Sequence, residues 1–195
     1  MPQIYLASAS PRRRELLSQI KLPYQILTRE VDETLPPGIP PAEQVLTLSR
    51  RKAAAAAEKL NAGIIIAADT VVALGEVVLG KPQNAAEALD MLDRLQGKVH
   101  EVYSGITLLE VPGNRMLSDY ERTEVIMRHA GRAELARYAA TGEPMDKAGA
   151  YGIQGLAAVF ITEIKGCYYN VVGLPVSKLV TMLGEFGIDV TACWG

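Results

Sequence analysis

Short apolar runs and helical stripes alternate along the chain. Residues 3–7 read as a short buried strand, residues 8–11 as a turn and residues 12–19 as a helix. Residues 24–28 are strand-like. Pro36, Pro37, Pro40 and Pro41 restrict the backbone of a loop over residues 34–41. Residues 42–60 predict a long helix. There Val45, Leu46 and Leu48 fall near helical spacing, and the consecutive alanines 53–57 have the best intrinsic helix propensity.

Residues 64–68, Ile-Ile-Ile-Ala-Ala, do not alternate. A continuous apolar run fits a strand covered on both faces, as in α/β sheets, and Asp69-Thr70 is expected to end it. Residues 71–79 read as a hairpin about Gly75-Glu76, and Gly80-Lys81-Pro82 leads to a helix beginning near Asn84. Ala85, Ala88, Leu89, Leu92 and Leu95 form its stripe. Residues 98–127 are mainly β, with a turn at Pro112-Gly113-Asn114. Residues 132–141 are helical, 142–155 a glycine-rich loop, 156–164 a strand and 166–170 a turn. Pro175 suits the first turn of a last helix reaching about Glu185. No fixed-period repeat and no Gly/Ser linker interrupts the chain. The expectation is therefore one mixed α/β domain over residues 1–195, with two lobes around a central sheet.

Composition narrows the class. With 195 residues, 49% hydrophobic and 22% charged, the chain can bury a proper core, which excludes a mainly disordered protein. The formal net charge of −2 gives no global attraction to nucleic acid or to an acidic membrane, so neither is expected as a partner. Anion binding has to come from a local cluster. Cys167 and Cys193 make no disulfide framework or zinc cluster. The first residues lack a basic leader and a long apolar stretch, and no run could span a membrane, so a cytoplasmic protein is expected.

Two places carry chemistry. In Ser8-Ala9-Ser10-Pro11-Arg12-Arg13-Arg14, Ser10 is a plausible N-cap and Pro11 fits the first helical position. Three arginines then fill a first turn that ordinarily prefers acidic residues. An anion would resolve the conflict, because backbone N–H groups, serine hydroxyls and guanidinium forks all suit phosphate oxygens. No Walker loop is present. The second place is Asp69, expected at the end of an apolar strand, where α/β sheets put their ligands. It could hold a divalent metal or deprotonate a water. Asp32, Glu33, Arg51, Lys52, Lys81 and Lys147 lie along successive loops and the long helix and, together, would suit a polyphosphate with a metal. His100 and His129 have no ligand-like spacing and are read as structural.

Taken in order, these residues resemble the Maf family of nucleoside triphosphate pyrophosphatases. The resemblance rests on Ser8-x-Ser10-Pro11-Arg12-Arg13, Asp32-Glu33, Arg51-Lys52-Ala53, Ala68-Asp69-Thr70-Val71, Gly80-Lys81-Pro82, the stretch from Asp146 to Gly155, and Asn170-Val171-Val172-Gly173-Leu174-Pro175. It implies an elongated two-lobed α/β fold, related to the inosine triphosphate pyrophosphatases, with a central mixed sheet flanked by helices and a cleft between the lobes. It also implies hydrolysis of a nucleoside triphosphate to the monophosphate and pyrophosphate with a divalent cation (Mg, Mn or Co). Asp69 is then the catalytic carboxylate and, with Glu33, a metal ligand. Ser8, Ser10, Arg13, Lys52 and Lys81 would handle phosphate.

Arg12, Thr70 and Gln154 match the branch of the family that acts on dTTP and UTP, where the 7-methyl-GTP branch has Trp, Gln and Glu. The chemistry agrees. The carboxamide of Gln154 can accept from the N3–H of uracil or thymine and donate to a carbonyl, whereas Arg12 should repel a cationic 7-methylguanine. Two further readings stay open: a pyrophosphatase for modified or other nucleotides, and a cell-division (septum) regulator that binds nucleotide. A homodimer is also compatible with the resemblance.

Overall fold

The computed structural model describes residues 1–113 and 115–194. Its strands form one mixed sheet in the order β2-β1-β3-β5-β6-β7, with β4 paired to β3. The chain divides into two compact units: residues 1–69, 104–121 and 173–195 make the first, and residues 70–103 and 122–172 the second.

The first unit holds β1 (Ile4–Leu6), α1 (Pro11–Gln19), β2 (Gln25–Ile26), α2 (Pro41–Ala57) and the start of β3 (Gly63–Leu74). β1 lies parallel to β2, with Tyr5 opposite Gln25, and parallel to β3, with Leu6 opposite Ile66. Ile4, Leu6 and Ile65 are fully buried, so both faces of this parallel centre are covered, as the unbroken apolar run predicts. Small residues bring α2 close to the sheet. Ala53 and Ala56 pack with Ala7, Ile65, Ala67 and Leu109. A Cβ at Gly105, on β5 (Val99–Val111), would come within 2.5 Å of the Val45 carbonyl oxygen, so only glycine admits the helix backbone there. α6 (Val176–Glu185) completes the unit, starting one residue beyond Pro175.

In the second unit the far half of β3 pairs antiparallel with β4 (Val77–Leu79). α3 (Ala85–Leu95) opens on Asn84, whose side chain accepts from Glu87 N, and Glu87 accepts in return from Gln83 N. Its stripe residues Ala88, Leu92 and Leu95 join Val102, Val125, Leu135 on α4 (Arg132–Ala139), Tyr151 and Phe160 in one core. Each fully buried leucine there is worth about 1.5–3 kcal/mol over exposure. β6 (Met116–Met127) pairs antiparallel with β7 (Ile161–Lys165), and α5 (Tyr168–Val172) follows.

His100 is structural, as expected. It is buried in this core, and its Nε2 pairs with the Tyr151 hydroxyl at 2.8 Å, while its Nδ1 has no partner. Burial pulls its pKa down to about 4. Below pH ~6.5 the unfolded chain therefore takes up a proton that the folded chain refuses. Stability should fall by about 3 kcal/mol as pH drops from ~6.5 to ~4. Melting curves of wild type and His100→Leu across this window check it: the variant should show a flatter decline, and parallel declines would contradict it.

Several expectations need correction. β3 does not end at Asp69; it runs on to Leu74, because Val71, Val72 and Ala73 are apolar, buried and suited to a pleated surface. α2 ends at Ala57, earlier than residue 60, where Lys59 N turns to the Ala56 carbonyl. Residues 156–160 form a 3₁₀ helix and only Ile161–Lys165 is strand; an apolar run that short has no decisive period. The turn expected over residues 166–170 gives way at Tyr168 to the helix α5, which runs on to Val172. The Trp194 indole donates to the Ile20 carbonyl at 2.8 Å, which ties the tail to the end of α1. Asn114, in the turn expected at residues 112–114, lies outside the described residues.

Candidate active site

The order β2-β1-β3 sets the location. From β1 the chain moves by α1 to β2 on one side, then crosses by α2 to β3 on the other. The direction of winding reverses at β1, and ligands of open parallel sheets bind beyond the carboxyl ends of the strands at such a point. Ser8 follows β1 there. The backbone N–H of Ala7 still reaches the Ile66 carbonyl at 2.8 Å, which holds the Ser8 segment beside β3 as it approaches Asp69.

Three buried polar side chains meet at this place: Ser8, Arg13 and Asp69, each under a tenth exposed. Arg13 ties the parts together. Its Nη1 donates to Ser8 Oγ at 3.0 Å and to the Ala68 carbonyl at 2.9 Å, and its Nε donates to the Gly173 carbonyl at 2.8 Å. Burial holds the guanidinium below the usual arginine range and Arg12 adds to that, whereas Asp69 and Glu33 pull it back up. An arginine keeps its charge under such conditions, so the site retains a fixed cation. The first-turn conflict is thus partly resolved within the chain: Arg13 donates to two backbone carbonyls, and Arg14 Nη2 donates to the Ala9 carbonyl at 3.1 Å.

On the other side of Asp69, Lys52 bridges two carboxylates. Its Nζ lies 2.6 Å from Asp69 Oδ1 and 2.7 Å from Glu33 Oε1. Ala53 and Ala56 fix which face of α2 meets the sheet, and so fix where the adjacent Lys52 projects. Arg51 positions the loop of Glu33. Its Nη1 donates to the carbonyls of Asp32 at 2.8 Å and Thr34 at 2.9 Å. The sequence suggested charge at Arg51 but not this work on the backbone. The adjacency of Arg51 to Lys52 was the available signal.

Ser8, Arg13, Lys52, Glu33 and Asp69 are therefore brought together within the first unit. Ser10 occupies the N-cap position of α1, but its side chain makes no cap; its N–H donates instead to Ser8 Oγ at 3.2 Å. Arg12 is half-buried on the first turn of α1, and Thr70 is half-buried one residue beyond Asp69. Lys81 and Gln154 are exposed residues of the second unit. The glycines around Gln154 have an internal reason to be glycine. A Cβ at Gly149 would press on Val72, one at Gly152 on the Lys147 side chain, and one at Gly155 on the Glu143 carboxylate.

Among the described residues no group of three or more His, Cys, Asp or Glu is placed to hold a metal, and no helix is long and apolar enough to cross a membrane. The donor set at Asp69 nevertheless fits a hard cation. Two carboxylates already converge on one ammonium group, and Mg²⁺-type ions use one or two carboxylates and complete their shell with phosphate oxygens and water.

Known proteins resemble this chain in both sequence and fold. A dTTP/UTP pyrophosphatase of Pelotomaculum thermopropionicum is 50% identical over 190 residues, 97% of this chain and 100% of that relative. Its counterpart in Desulforamulus reducens is 46% identical with the same coverage, and one from Bacillus cereus is 46% identical over 98% of this chain and 99% of its own. In fold, the chain is similar to the Staphylococcus aureus Ham1 protein (TM-score 0.55, 16% identity, 94% of this chain and 99% of that one). It is also similar to a HAM1 protein from Coxiella burnetii (TM-score 0.53, 18% identity, 95% and 100%). The sequence profile of the Maf-like protein family matches residues 3–186, so the chain, with its buried carboxylate and arginine at the reversal point of the sheet, belongs to that family.

Proposed function

We propose that this protein hydrolyses dTTP and UTP to the nucleoside monophosphate and pyrophosphate. The observation that carries the reading is Asp69, a buried carboxylate held by Lys52 beside Glu33 and against the Ser8–Arg13 pair. Its relatives' named activity supports the same substrates.

Attack of water on the α-phosphorus needs a base, charge neutralisation and a held phosphate. Asp69 accepts the proton of the water. Ser8 already accepts from Arg13 and from Ser10 N, so its own hydroxyl hydrogen is what it offers a phosphate oxygen. Arg13 and Lys52 offset the negative charge that grows on the leaving pyrophosphate. Asp69 and Glu33 would hold a divalent cation arriving with the triphosphate, and that cation supplies further neutralisation of the phosphate charge. Lys81 serves the same substrate, as do Ser10 and Arg12, and residues 1–195 act as one catalytic domain. Acting on free nucleotides, the protein works in the cytoplasm.

Gln154 and Thr70 read the base. A carboxamide can pair with both the N3–H and a carbonyl of thymine or uracil, which a carboxylate cannot do. Gln154→Glu should therefore lower kcat/KM for dTTP relative to GTP by roughly tenfold. An unchanged ratio across dTTP, UTP and GTP would remove Gln154 from the pocket. Pyrophosphate release from a panel of nucleoside triphosphates, with and without Mg²⁺ or Mn²⁺, tests the function itself. Fast release from dTTP and UTP supports it, and release confined to purine nucleotides would refute it.

A further inference from the structure

Gln154 sits at the tip of a tight turn. Gly155 N donates to the Gly152 carbonyl at 3.0 Å and closes a four-residue loop with Ile153 and Gln154 inside it. The tip is exposed, but both ends are held. At one end, Gly152 N donates to the Tyr138 hydroxyl at 3.3 Å. At the other, Leu156 N donates to Glu143 Oε2 at 3.0 Å. The two holders are joined, because the Tyr138 hydroxyl donates to Glu143 Oε1 at 3.0 Å. One carboxylate and one phenol thus connect both ends of the loop.

The surroundings keep the holders in place. Tyr138 is buried and packs edge-on against Phe160, with ring centroids 5.6 Å apart. Burial, then the Glu143 carboxylate, pushes its hydroxyl well above the usual tyrosine range, so it remains a donor. The Glu143 carbonyl accepts from Lys147 Nζ at 2.6 Å, and Glu143 N donates to Thr141 Oγ1 at 3.2 Å. A Cβ at Gly155 would lie 2.4 Å from Glu143 Oε1, so the loop is seated directly on the carboxylate.

We propose that Glu143 and Tyr138 are positioning residues that set base selectivity by clamping the turn that presents Gln154. The inference rests on the reading of Gln154 as the residue that meets the base. A tip fixed at both ends meets its ligand with less ordering still to do, so its hydrogen-bond pattern discriminates more sharply. A tip released at either end adapts to the wrong base.

Kinetics on dTTP and dCTP separate the two ideas, since cytosine reverses the donor and acceptor that thymine shows beside N3. The variants are Glu143→Gln, Tyr138→Phe, Gln154→Ala and the double variant Glu143→Gln/Gln154→Ala. Glu143→Gln and Tyr138→Phe should each lower the dTTP-over-dCTP ratio of kcat/KM by about tenfold, chiefly through KM for dTTP. The double variant should be no less selective than Gln154→Ala alone, because the clamp acts through Gln154. If Gln154→Ala abolishes selectivity while both clamp variants stay within twofold of wild type, the clamp is wrong and the base reading stands. If the double variant loses selectivity additively, Glu143 does not act through Gln154 and the clamp is again wrong. If Gln154→Ala leaves the ratio intact, the base reading itself fails, and the clamp with it. Should Glu143→Gln not fold, Tyr138→Phe decides by the same ratio, since it removes only the hydroxyl.

Discussion

In Asp69→Asn, turnover of dTTP should fall by about a thousandfold or more, with the fold intact. Asparagine matches aspartate in shape and can still accept from Lys52, so the buried site keeps its packing. It cannot take a proton from water, and it removes half of the carboxylate pair that Lys52 bridges. Binding of nucleotide should survive, because Ser8, Arg13 and Lys52 remain. Steady-state kcat on dTTP, a melting curve and calorimetric titration with dTTP check the three parts together. A variant that turns over dTTP near the wild-type rate would remove Asp69 from the chemistry.

Arg13→Ala should cost stability as well as activity. The guanidinium is buried and donates to Ser8 Oγ and to the carbonyls of Ala68 and Gly173. Truncation removes the charged donor from the Ala68 and Gly173 carbonyls, leaves Ser8 Oγ with the Ser10 N–H, and opens a polar gap. Hydrogen bonds from a charged donor contribute about 1.5–3 kcal/mol each, so their loss is expected to cost at least ~3 kcal/mol. For a chain of this size that lowers Tm by roughly 6–12 °C. Activity measured well below the new Tm should still fall at least about a hundredfold, because Ser8 is no longer held beside Asp69. Arg13→Lys keeps a charge but cannot span three acceptors, so it should recover only part of either loss. An Arg13→Ala variant with unchanged Tm and a raised KM would mean that the arginine serves substrate alone.

Much of this site could be read from residue order. The apolar run at residues 64–68 gave away a strand buried on both faces, and Ser8 and Asp69 fall beside each other because that strand runs parallel to β1. The stripe of α3 and its cap at Asn84 were equally legible, since periodicity and capping are local. What could not be read depends on distance in the fold. That Arg13 also ties the site to Gly173 could not be read, because that partner lies 160 positions away. Asp69 looked like a strand end because a carboxylate inside a sheet is costly, and cations on other elements, Lys52 and Arg13, make it tolerable. The protein neighbours that crowd the glycines near Gln154 could not be read either, since each is set by the fold. Tyr138 and Glu143 gave no motif at all; their role emerges only when the loop folds back onto them.

The most direct test of the chemistry is hydrolysis of dTTP by the whole protein in ¹⁸O-labelled water with Mg²⁺ or Mn²⁺, followed by mass analysis of both products. Attack at the α-phosphorus predicts dTMP and pyrophosphate in equal amounts, with the label in dTMP. Label in pyrophosphate, or release of dTDP and phosphate, would contradict it.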